Sequence, residues 1–325
     1  MKKINDFTNS EEGAIIVFAA LSIVLVLVCA AFAADLGYAY LKASSTQNAA
    51  DAAALAAARL LPVSPDDAPG ISGVYAAAVE YAEKNNYIIT AEDVGLGDLV
   101  SGKYTSVKVK IPCEAGLDFS KVIGISSVDV SRSAGARAAP CASADDISPL
   151  CVDYLELKSA IESGNTEHII LKYGSGDGDT GSYGAIDLDG VMGGGANDFS
   201  SWLQFGYRGT ITVGDGLLPV EKGNMSGPTE LAISSRYSEC THFSDDGGCC
   251  AEHFVPECPR LLKVLVVSKV SNSYVMVKGF AAFIIESESA SGEIRGSYIK
   301  ALEPGGKPGG EDDYNYGLYC VGLTS

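Results

Sequence analysis

The sequence predicts an α+β protein: a long N-terminal transmembrane helix that extends beyond the membrane with a small sheet, then a mostly β C-terminal domain. Three observations predict this fold class. Residues 14–34 carry no charge, the residues from there to Leu61 are rich in alanine, and the second half contains short apolar stretches bounded by glycine. The predicted divisions are a cytoplasmic leader at 1–13, a transmembrane helix at 14–34, a membrane-proximal module at 35–140 and a Gly- and Cys-rich, mostly β extracytoplasmic domain at 141–325.

The apolar run is long enough to cross a bilayer, since about 20 residues at ~1.5 Å each span a core of roughly 30 Å. Lys2 and Lys3 lie on the short N-terminal side. This placement predicts a single-pass plasma-membrane protein with a cytoplasmic N-terminus. The alternative is a cleaved secretory signal with Ala31-Phe32-Ala33 as the cleavage site. The run exceeds the usual apolar length of a signal peptide, which favours a retained anchor.

A single helix is predicted from Ser10, a typical N-cap ahead of two acidic residues, to about Leu61. Alanine is the strongest helix former, and no proline occurs before Pro62. Beyond the membrane, four alanines share one face of the helix: Ala43, Ala50, Ala54 and Ala57. Two polar residues, Gln47 and Asp51, lie close to this face. This face is predicted to pack on the protein's own sheet or on another subunit.

The rest of the membrane-proximal module is predicted from a segment that interrupts the helix and from the periodicity of the apolar residues after it. The elements are a Pro- and Gly-rich breaker at 62–73, an amphipathic helix at 74–85, and strands at 104–112 and 127–138. In the second strand, Val128 and Val130 are predicted to point inward. A helix, a connector and a small sheet would complete this module.

Two segments carry a family resemblance. Asp35-Leu36-Gly37 leaves the membrane run, and the stretch QNAADAAALAAA follows at 47–58. This arrangement resembles the N-terminal region of TadG-like proteins of the tight-adherence (Flp) pilus-assembly system, and residues 123–130 are also similar to that family. The resemblance covers roughly residues 10–140. It implies a non-enzymatic, membrane-anchored assembly factor whose N-terminal helix contacts the pilus-assembly machinery or other pseudopilin-like membrane proteins.

The sequence departs from the family in two places. Pilin-type processing sites carry a glutamate a few residues into the apolar run, whereas this run has the uncharged series 15–18. Cleavage is therefore not expected. Many TadG-like proteins also continue into a von Willebrand factor A domain with a D-x-S-x-S metal site. The letters occur here at 129–133, at the end of the N-terminal module without the βα units that should follow, and are interpreted as a strand.

Charge and cysteine usage narrow the classes of partner and compartment. The formal net charge is −18 with no basic cluster beyond the two N-terminal lysines, which argues against nucleic acid or an anionic lipid surface as partner. Cys29 lies in the apolar run. The other eight cysteines are Cys113, Cys141, Cys151, Cys240, Cys249, Cys250, Cys258 and Cys320. Their even number favours disulfides on the oxidising side of the membrane over free thiols, with the pairing left open.

The C-terminal half is predicted to be mostly β, as a barrel or a sandwich. The strand candidates are 168–173, 209–213, 261–270, 274–286 and 293–302. Short helices are predicted at 151–163 and after Gly227-Pro228. A turn-rich segment at 305–313 precedes a last strand that Cys320 is predicted to tie down.

The densest group of chemically active residues comprises Cys240, His242, Cys249, Cys250, His253 and Cys258. Thiolate and imidazole are the ligands that zinc prefers. The spacing is irregular, however, and the compartment favours oxidation, so disulfides are favoured over zinc or free thiols. The adjacent Cys249 and Cys250 are predicted to pair with different partners. No metal, cofactor or catalytic residue is assigned.

Other motifs are interpreted as structural. The loop at 174–181, with Asp177 and Asp179, lacks the remaining features of a P-loop or calcium loop. Asp187 and Asp189 are expected on a solvated strand face, and Ser226 lacks the G-x-S-x-G context of a nucleophile. No enzyme activity and no small-molecule substrate are predicted. The alternative functions are a secreted or surface-displayed, disulfide-stabilised binding module and, less favoured, a zinc-dependent surface enzyme.

Overall fold

The computed structural model describes residues 11–97, 99–172, 182–190, 195–223, 225–244, 247–285, 292–304, 306–310 and 314–324. The α-helices are α1 (Glu11–Ala58), α2 (Ala68–Lys84), α3 (Tyr154–Ser163), α4 (Gly195–Phe205) and α5 (Ser226–Glu239). Short 3-10 helices lie at Ala91–Asp93 and Ser120–Ile123.

The strands of the membrane-proximal part are β1 (Val94–Leu96), β2 (Leu99–Val100), β3 (Lys103–Tyr104), β4 (Ser106–Ile111), β5 (Glu114–Gly116), β6 (Ser127–Asp129) and β7 (Arg132–Ala144). Those that follow are β8 (Cys151–Asp153), β9 (Ile169–Lys172), β10 (Ser182–Ile186), β11 (Ile211–Thr212), β12 (Leu217–Lys222), β13 (Leu261–Lys269), β14 (Tyr274–Ile285), β15 (Ile294–Ile299), β16 (Ala301–Leu302), β17 (Lys307–Pro308) and β18 (Leu318–Thr324). The predicted α+β class, with a mostly β C-terminal part, is confirmed.

The first half of α1 is apolar and uncovered. All side chains from Ile15 to Val28 are exposed, and Val28, the least exposed of the large ones, is still 45% accessible. A helix that is apolar all round needs an apolar surrounding. Within the described ranges, α1 is the helix long and apolar enough to cross a membrane. The predicted cap, Ser10, lies outside the described residues.

The second half of α1 packs one face against the protein itself. Ala50, Ala54 and Ala57 are fully inaccessible to solvent, and they pack with α2 and with the sheet strands β4, β7 and β18. Small side chains allow the helix backbone to lie close to the sheet. The prediction that this face packs on the protein's own sheet is confirmed. The helix ends at Ala58, earlier than the predicted Leu61, and Leu61 N–H instead bonds to the carbonyl three residues back.

The predicted breaker at 62–73 is shorter than expected, because α2 begins at Ala68 rather than at Val74. Asp67 caps the helix, its Oδ1 accepting the Gly70 N–H at 2.9 Å, and Pro69 lies in the first turn. Proline is tolerated there because the first N–H groups of a helix lack partners within it. The sequence prediction therefore missed the start of α2, because the Pro- and Gly-rich composition of this segment is typical of a loop.

The first sheet has the strand order β1-β4-β7-β18-β16, with β11 and β17 also paired to β7. The predicted alternation in β4 is confirmed: Val107, Val109 and Ile111 are buried, and the lysines between them are exposed. The predicted single strand at 127–138 is wrong. It is two strands, because β6 pairs with β5 in a separate hairpin, and Val128 is 41% exposed instead of inward.

The letters D-x-S-x-S at 129–133 lie where β6 passes into β7, as the strand interpretation predicted. The Asp129 carboxylate accepts the Ser131 N–H at 2.8 Å, which closes the turn between the strands. Asp129 thus has a structural role in this turn.

The two halves of the chain share β7. This strand pairs with β4 over 132–137 and with β18 over 135–140, then continues to Ala144. Cys141 of β7 and Cys320 of β18 form a disulfide with Cα atoms 5.1 Å apart. The last strand is thus tied down by Cys320. The predicted division at residue 140 falls inside a strand, and an independent C-terminal domain stays a prediction.

The second sheet has the order β10-β12-β14-β13-β8, with β15 joining β14 to β9, and β8 runs parallel to β13. The strands predicted at 168–173, 261–270 and 274–286 correspond to β9, β13 and β14 within the described residues. The strand predicted at 293–302 is divided into β15 and β16, and that at 209–213 shortens to β11. Helices α3, α4 and α5 pack on one face through Leu157, Leu203 and Ile233. The C-terminal part is mostly β, as predicted: helices cover one face of its sheet, and residues of the first sheet contribute to the apolar cluster on the other face. A barrel or a sandwich stays a prediction.

Two helical details differ from the prediction. The segment predicted as helix from residue 151 begins as β8, and α3 starts at Tyr154 because Asp153 Oδ1 accepts the N–H groups of Leu155 and Glu156. Helix α4 was not predicted. Its buried Phe199 and Leu203 are four residues apart, but glycine and serine around them weaken the helical signal.

We expect replacement of Cys320 by serine to destabilise the folded domain by about 2–5 kcal/mol. The disulfide closes a loop of 179 residues in sequence separation, and removing it restores conformational entropy to the unfolded chain. The measurement is urea unfolding of the full chain in detergent, followed by the fluorescence of its one tryptophan, Trp202. Cys113→Ser, at a half-buried free thiol, is the matched control. Equal stability of the two variants would contradict the expected role of the disulfide.

Candidate functional site

Asp35 is the first charged residue after the apolar half of α1, and its carboxylate is buried. It accepts the N–H groups of Asp118 at 3.0 Å, Phe119 at 3.1 Å and Ser120 at 2.6 Å, and the Ser120 hydroxyl at 2.7 Å. These N–H groups open the 3-10 helix Ser120–Ile123, where intrahelical partners are lacking. Asp35 therefore acts as a helix cap supplied from a distant part of the chain.

The β5–β6 hairpin runs along α1 from Ala43 back towards Asp35. Ala115 and Val130 pack on Ala43, and the turn beyond the hairpin meets Asp35. The exposed apolar side chains of this turn are Phe119, Val122, Ile123 and Ile125, with Val122 91% accessible. The turn thus presents apolar side chains beside the end of the apolar helix.

Two tyrosines follow directly on the helix surface. Tyr38 is 52% and Tyr40 is 73% exposed. Tyrosine is enriched where a transmembrane helix passes from lipid into water, because its ring is apolar and its hydroxyl is polar. The two tyrosines indicate that the segment just beyond Asp35 lies at the boundary between lipid and water.

The polar residues of the alanine-rich motif lie further along α1. Gln47 Nε2 donates a hydrogen bond to Asp51 Oδ1 at 2.8 Å, one helical turn away. Both residues line a groove of about 1190 Å³ whose basic side chains include Lys103, Arg137 and Lys300. The motif therefore supplies an ordered polar pair at the edge of a buried alanine face.

The cysteine-rich loop brings four of its six candidate residues together. One ligand atom from each of Cys240, His242, Cys249 and Cys258 lies within 4.8 Å of the others. The Cys240 and Cys258 sulfur atoms are 3.5 Å apart. Cys249 and Cys258 are buried, and the His242 Nδ1 is buried without a hydrogen-bond partner. Three thiols and one imidazole thus converge on one point.

The other two residues form a separate pair. The Cys250 sulfur lies 3.2 Å from His253 Nδ1, and the His253 ring packs edge-on against Phe243. The disulfides predicted for this loop are not formed, because Cys240, Cys249, Cys250 and Cys258 are all free thiols. The structure does separate Cys249 from Cys250, whose side chains have different neighbours.

The two contacting thiols differ in acidity. Burial acts to raise the pKa of Cys240, but hydrogen bonds from the Cys249 backbone and the Cys258 side chain outweigh it and lower the pKa to about 6. Burial raises the pKa of the Cys258 thiol to about 12. Of the two thiols, Cys240 is therefore the more acidic.

Two buried arginines hold the loop in place. Arg236, in the last turn of α5, donates to the carbonyls of Leu203 at 2.6 Å and Pro259 at 2.7 Å. Arg260 donates to the carbonyls of Ile285 at 2.7 Å and Gly247 at 3.2 Å. The Arg236 bonds connect α5 to α4 and to the end of the loop, and the Arg260 bonds connect the loop to β14.

Of the remaining sequence motifs, those that the structure describes do not assemble into a site. The loop containing Asp177 and Asp179 lies outside the described residues. Asp187 is buried and Asp189 is exposed, because β10 ends at residue 186, so the predicted shared solvated face is wrong. Ser226 is the first residue of α5.

We expect Asp35→Ala to release the turn at 118–123, since four donors would lose their charged acceptor. The chain in detergent should then be cut after Lys121 at least tenfold faster by trypsin. Asp51→Ala, which removes a carboxylate from the same helix, is the matched control. An unchanged cleavage rate in the Asp35 variant would show that the turn is held by other contacts.

Residues 13–60 match a family model described as putative Flp pilus-assembly TadE/G-like. No curated protein and no solved structure is significantly similar to the chain. The matched segment comprises nearly all of α1, including the apolar half, Asp35 and the Gln47–Asp51 pair. The N-terminal region of this chain is therefore TadE/G-like, as its Asp35-Leu36-Gly37 and alanine-rich motifs predicted.

Proposed function

We propose that this protein is a membrane-anchored, non-enzymatic component of Flp (tight-adherence) pilus assembly, acting as a positional factor outside the plasma membrane. The observation that carries the proposal is the coincidence of the TadE/G-like match with α1. One helix has an exposed apolar half that fits a membrane anchor and a second half whose alanine face is buried in the folded domain.

The mechanism follows from the continuity of this helix. Its 48 residues extend about 70 Å, and the buried alanine face leaves the domain no freedom to swivel about the anchor. The anchor would therefore hold the domain at a set height and orientation above the membrane. Positioning of this kind requires no catalytic step and no small-molecule substrate.

The partners we propose are the pilus-assembly machinery or pseudopilin-like membrane proteins, contacted through the N-terminal helix. Ala19, Ala20 and Ala30 are exposed on its apolar half. Small residues let transmembrane helices approach one another closely. This surface would suit a second helix within the bilayer.

We propose a cytoplasmic N-terminus and an extracytoplasmic domain. The two N-terminal lysines support this orientation through the positive-inside rule. The Cys141–Cys320 disulfide also supports it, since such bonds persist on the oxidising side of the membrane.

Deletion of the gene should abolish surface pili, counted by electron microscopy, and the full chain should restore them. A chain in which a cleavable signal peptide replaces residues 1–34 should be exported but should not restore pili, because it lacks the anchor. Normal piliation in the deletion strain would refute a role in pilus assembly. Rescue by the secreted version would refute the anchored mechanism and favour a secreted binding module, as would a mature N-terminus at Ala34 in mass spectrometry of the native protein.

A further inference from the structure

We propose that Cys240, His242, Cys249 and Cys258 bind one structural Zn²⁺ ion that fastens the cysteine-rich loop to the second sheet. This site is independent of the proposed function, because it involves no residue of the TadE/G-like segment. The loop it would hold runs from the end of α5 to the start of β13.

The distances suit a tetrahedral ion better than a disulfide. Zn–S bonds of about 2.3 Å place two ligand sulfurs of a tetrahedral site about 3.8 Å apart. The Cys240 and Cys258 sulfurs lie 3.5 Å apart, well beyond a disulfide bond of about 2.05 Å. All four ligand atoms lie within 4.8 Å of one another, so a modest contraction would complete the coordination shell.

The donor set is that of a closed structural site. Three cysteines and one histidine fill the four positions of zinc and leave none for water or substrate. Cys250 does not compete, because its sulfur contacts His253. His242 Nδ1 is buried without a hydrogen-bond partner, which is costly for a polar atom unless another group binds it. A metal ion would supply that partner.

The local backbone brings the ligands together. Gly248 has φ +94°, a conformation that favours glycine, and a Cβ there would lie 2.5 Å from the Arg260 guanidinium. The turn at Gly247-Gly248 thus returns the chain to Cys240 just before Cys249. Cys240 itself ends α5, and Cys258 lies three residues before β13. Two of the four ligands therefore lie next to regular elements, and Cys249 follows the glycine turn.

The surrounding charges match the occupied site. Three thiolates and Zn²⁺ carry a net charge of −1. The backbone N–H of Arg260 donates to the Cys258 sulfur at 3.4 Å, and the positive charge of the buried Arg236 guanidinium interacts with Cys258. N–H donors to ligating sulfur and nearby positive charge are typical outer-shell partners of zinc thiolates.

The test is the zinc content of the full chain purified in detergent without chelators, measured by inductively coupled plasma mass spectrometry. We expect one zinc per chain in the wild type, a loss of at least tenfold in Cys249→Ser, and an unchanged content in Cys250→Ser. Cys250 is the matched control because it is the adjacent cysteine in the same loop. Zinc retained in Cys249→Ser, or no zinc together with a Cys240–Cys258 disulfide in peptide mapping, would overturn the proposal.

A second measurement does not depend on a variant folding. Wild-type chain stripped of metal under reducing conditions should bind one equivalent of Co²⁺. It should then show the d–d absorption of a tetrahedral ion and the charge-transfer absorption of thiolate ligands. Octahedral cobalt, or no binding, would overturn the site. Added Zn²⁺ should displace the cobalt and abolish the absorption.

A different observation carries a second inference. We infer that the turn at residues 119–125 inserts its apolar side chains into the lipid at the outer surface of the bilayer. The inference rests on the anchoring of α1 in the membrane but not on a role in pilus assembly. Asp35 holds the turn at the end of the apolar half of α1, and Phe119, Val122, Ile123 and Ile125 are exposed there.

Lipid is the occupant that the position favours. The turn adjoins a helix segment that itself requires an apolar surrounding, so the two exposed apolar surfaces are continuous. Lys121 forms an ion pair with Asp118 at 2.9 Å at the rim of the turn, where long charged side chains can reach the headgroups.

Single added tryptophans test the depth of the turn. Val122→Trp, Ile88→Trp and Leu25→Trp would be compared in full-length chain reconstituted into vesicles with brominated lipids, after subtraction of the Trp202 signal. Val122 and Ile88 are matched at 91% and 89% exposure. Ile88 follows Tyr87, whose hydroxyl contacts Ser45, about 15 Å beyond Asp35 along the helix.

We expect strong quenching at positions 25 and 122 and several-fold weaker quenching at 88. Quenching at 25 with equally weak quenching at 122 and 88 would overturn the insertion of the turn while leaving the anchor in place. Weak quenching at all three positions would overturn the anchor and this inference with it.

Discussion

The structure depends on one helix, α1, whose two halves need different surroundings. Over its first half, α1 exposes apolar side chains on every side, and over its second half it buries a face of alanines against a sheet. No single medium satisfies both halves. The change from one surrounding to the other occurs at Asp35. That residue therefore sets the position of the membrane-proximal sheet, the β5–β6 hairpin and the exposed tyrosines.

Asp35 is suited to this junction because a carboxylate cannot stay in lipid and yet can be buried against backbone donors. Its oxygens accept three N–H groups and one hydroxyl from residues more than eighty positions away in sequence. The same contacts that end the apolar segment also bring an apolar turn to the same level. The aspartate of the D-x-G pair thus has a physical role that its family resemblance alone did not explain.

Local patterns predicted much of the fold, and long-range contacts account for most of what was missed. The alternation of Val107, Val109 and Ile111 predicts β4, and the alanine spacing predicts the buried face of α1. No local signal shows that β7 pairs with the last strand over 135–140 and continues to Ala144, or that β6 pairs separately and leaves Val128 exposed. The start of α2 depends on the Asp67 cap, which lies within a segment whose composition suggested a loop.

The cysteine-rich loop shows why composition left its chemistry open. Spacing along the chain cannot distinguish four cysteines that pair as disulfides from three that converge with a histidine while the fourth lies beside another histidine. The distinction comes from the Gly247-Gly248 turn and from the arginines that fix α5 and β13, which set the sulfurs 3.5 Å apart and direct Cys250 elsewhere. Cys141 and Cys320, by contrast, lie on neighbouring strands whose register brings their Cα atoms to 5.1 Å. In one chain, therefore, backbone geometry commits one pair of cysteines to a covalent bond and brings the ligand atoms of three others and His242 within 4.8 Å of one another.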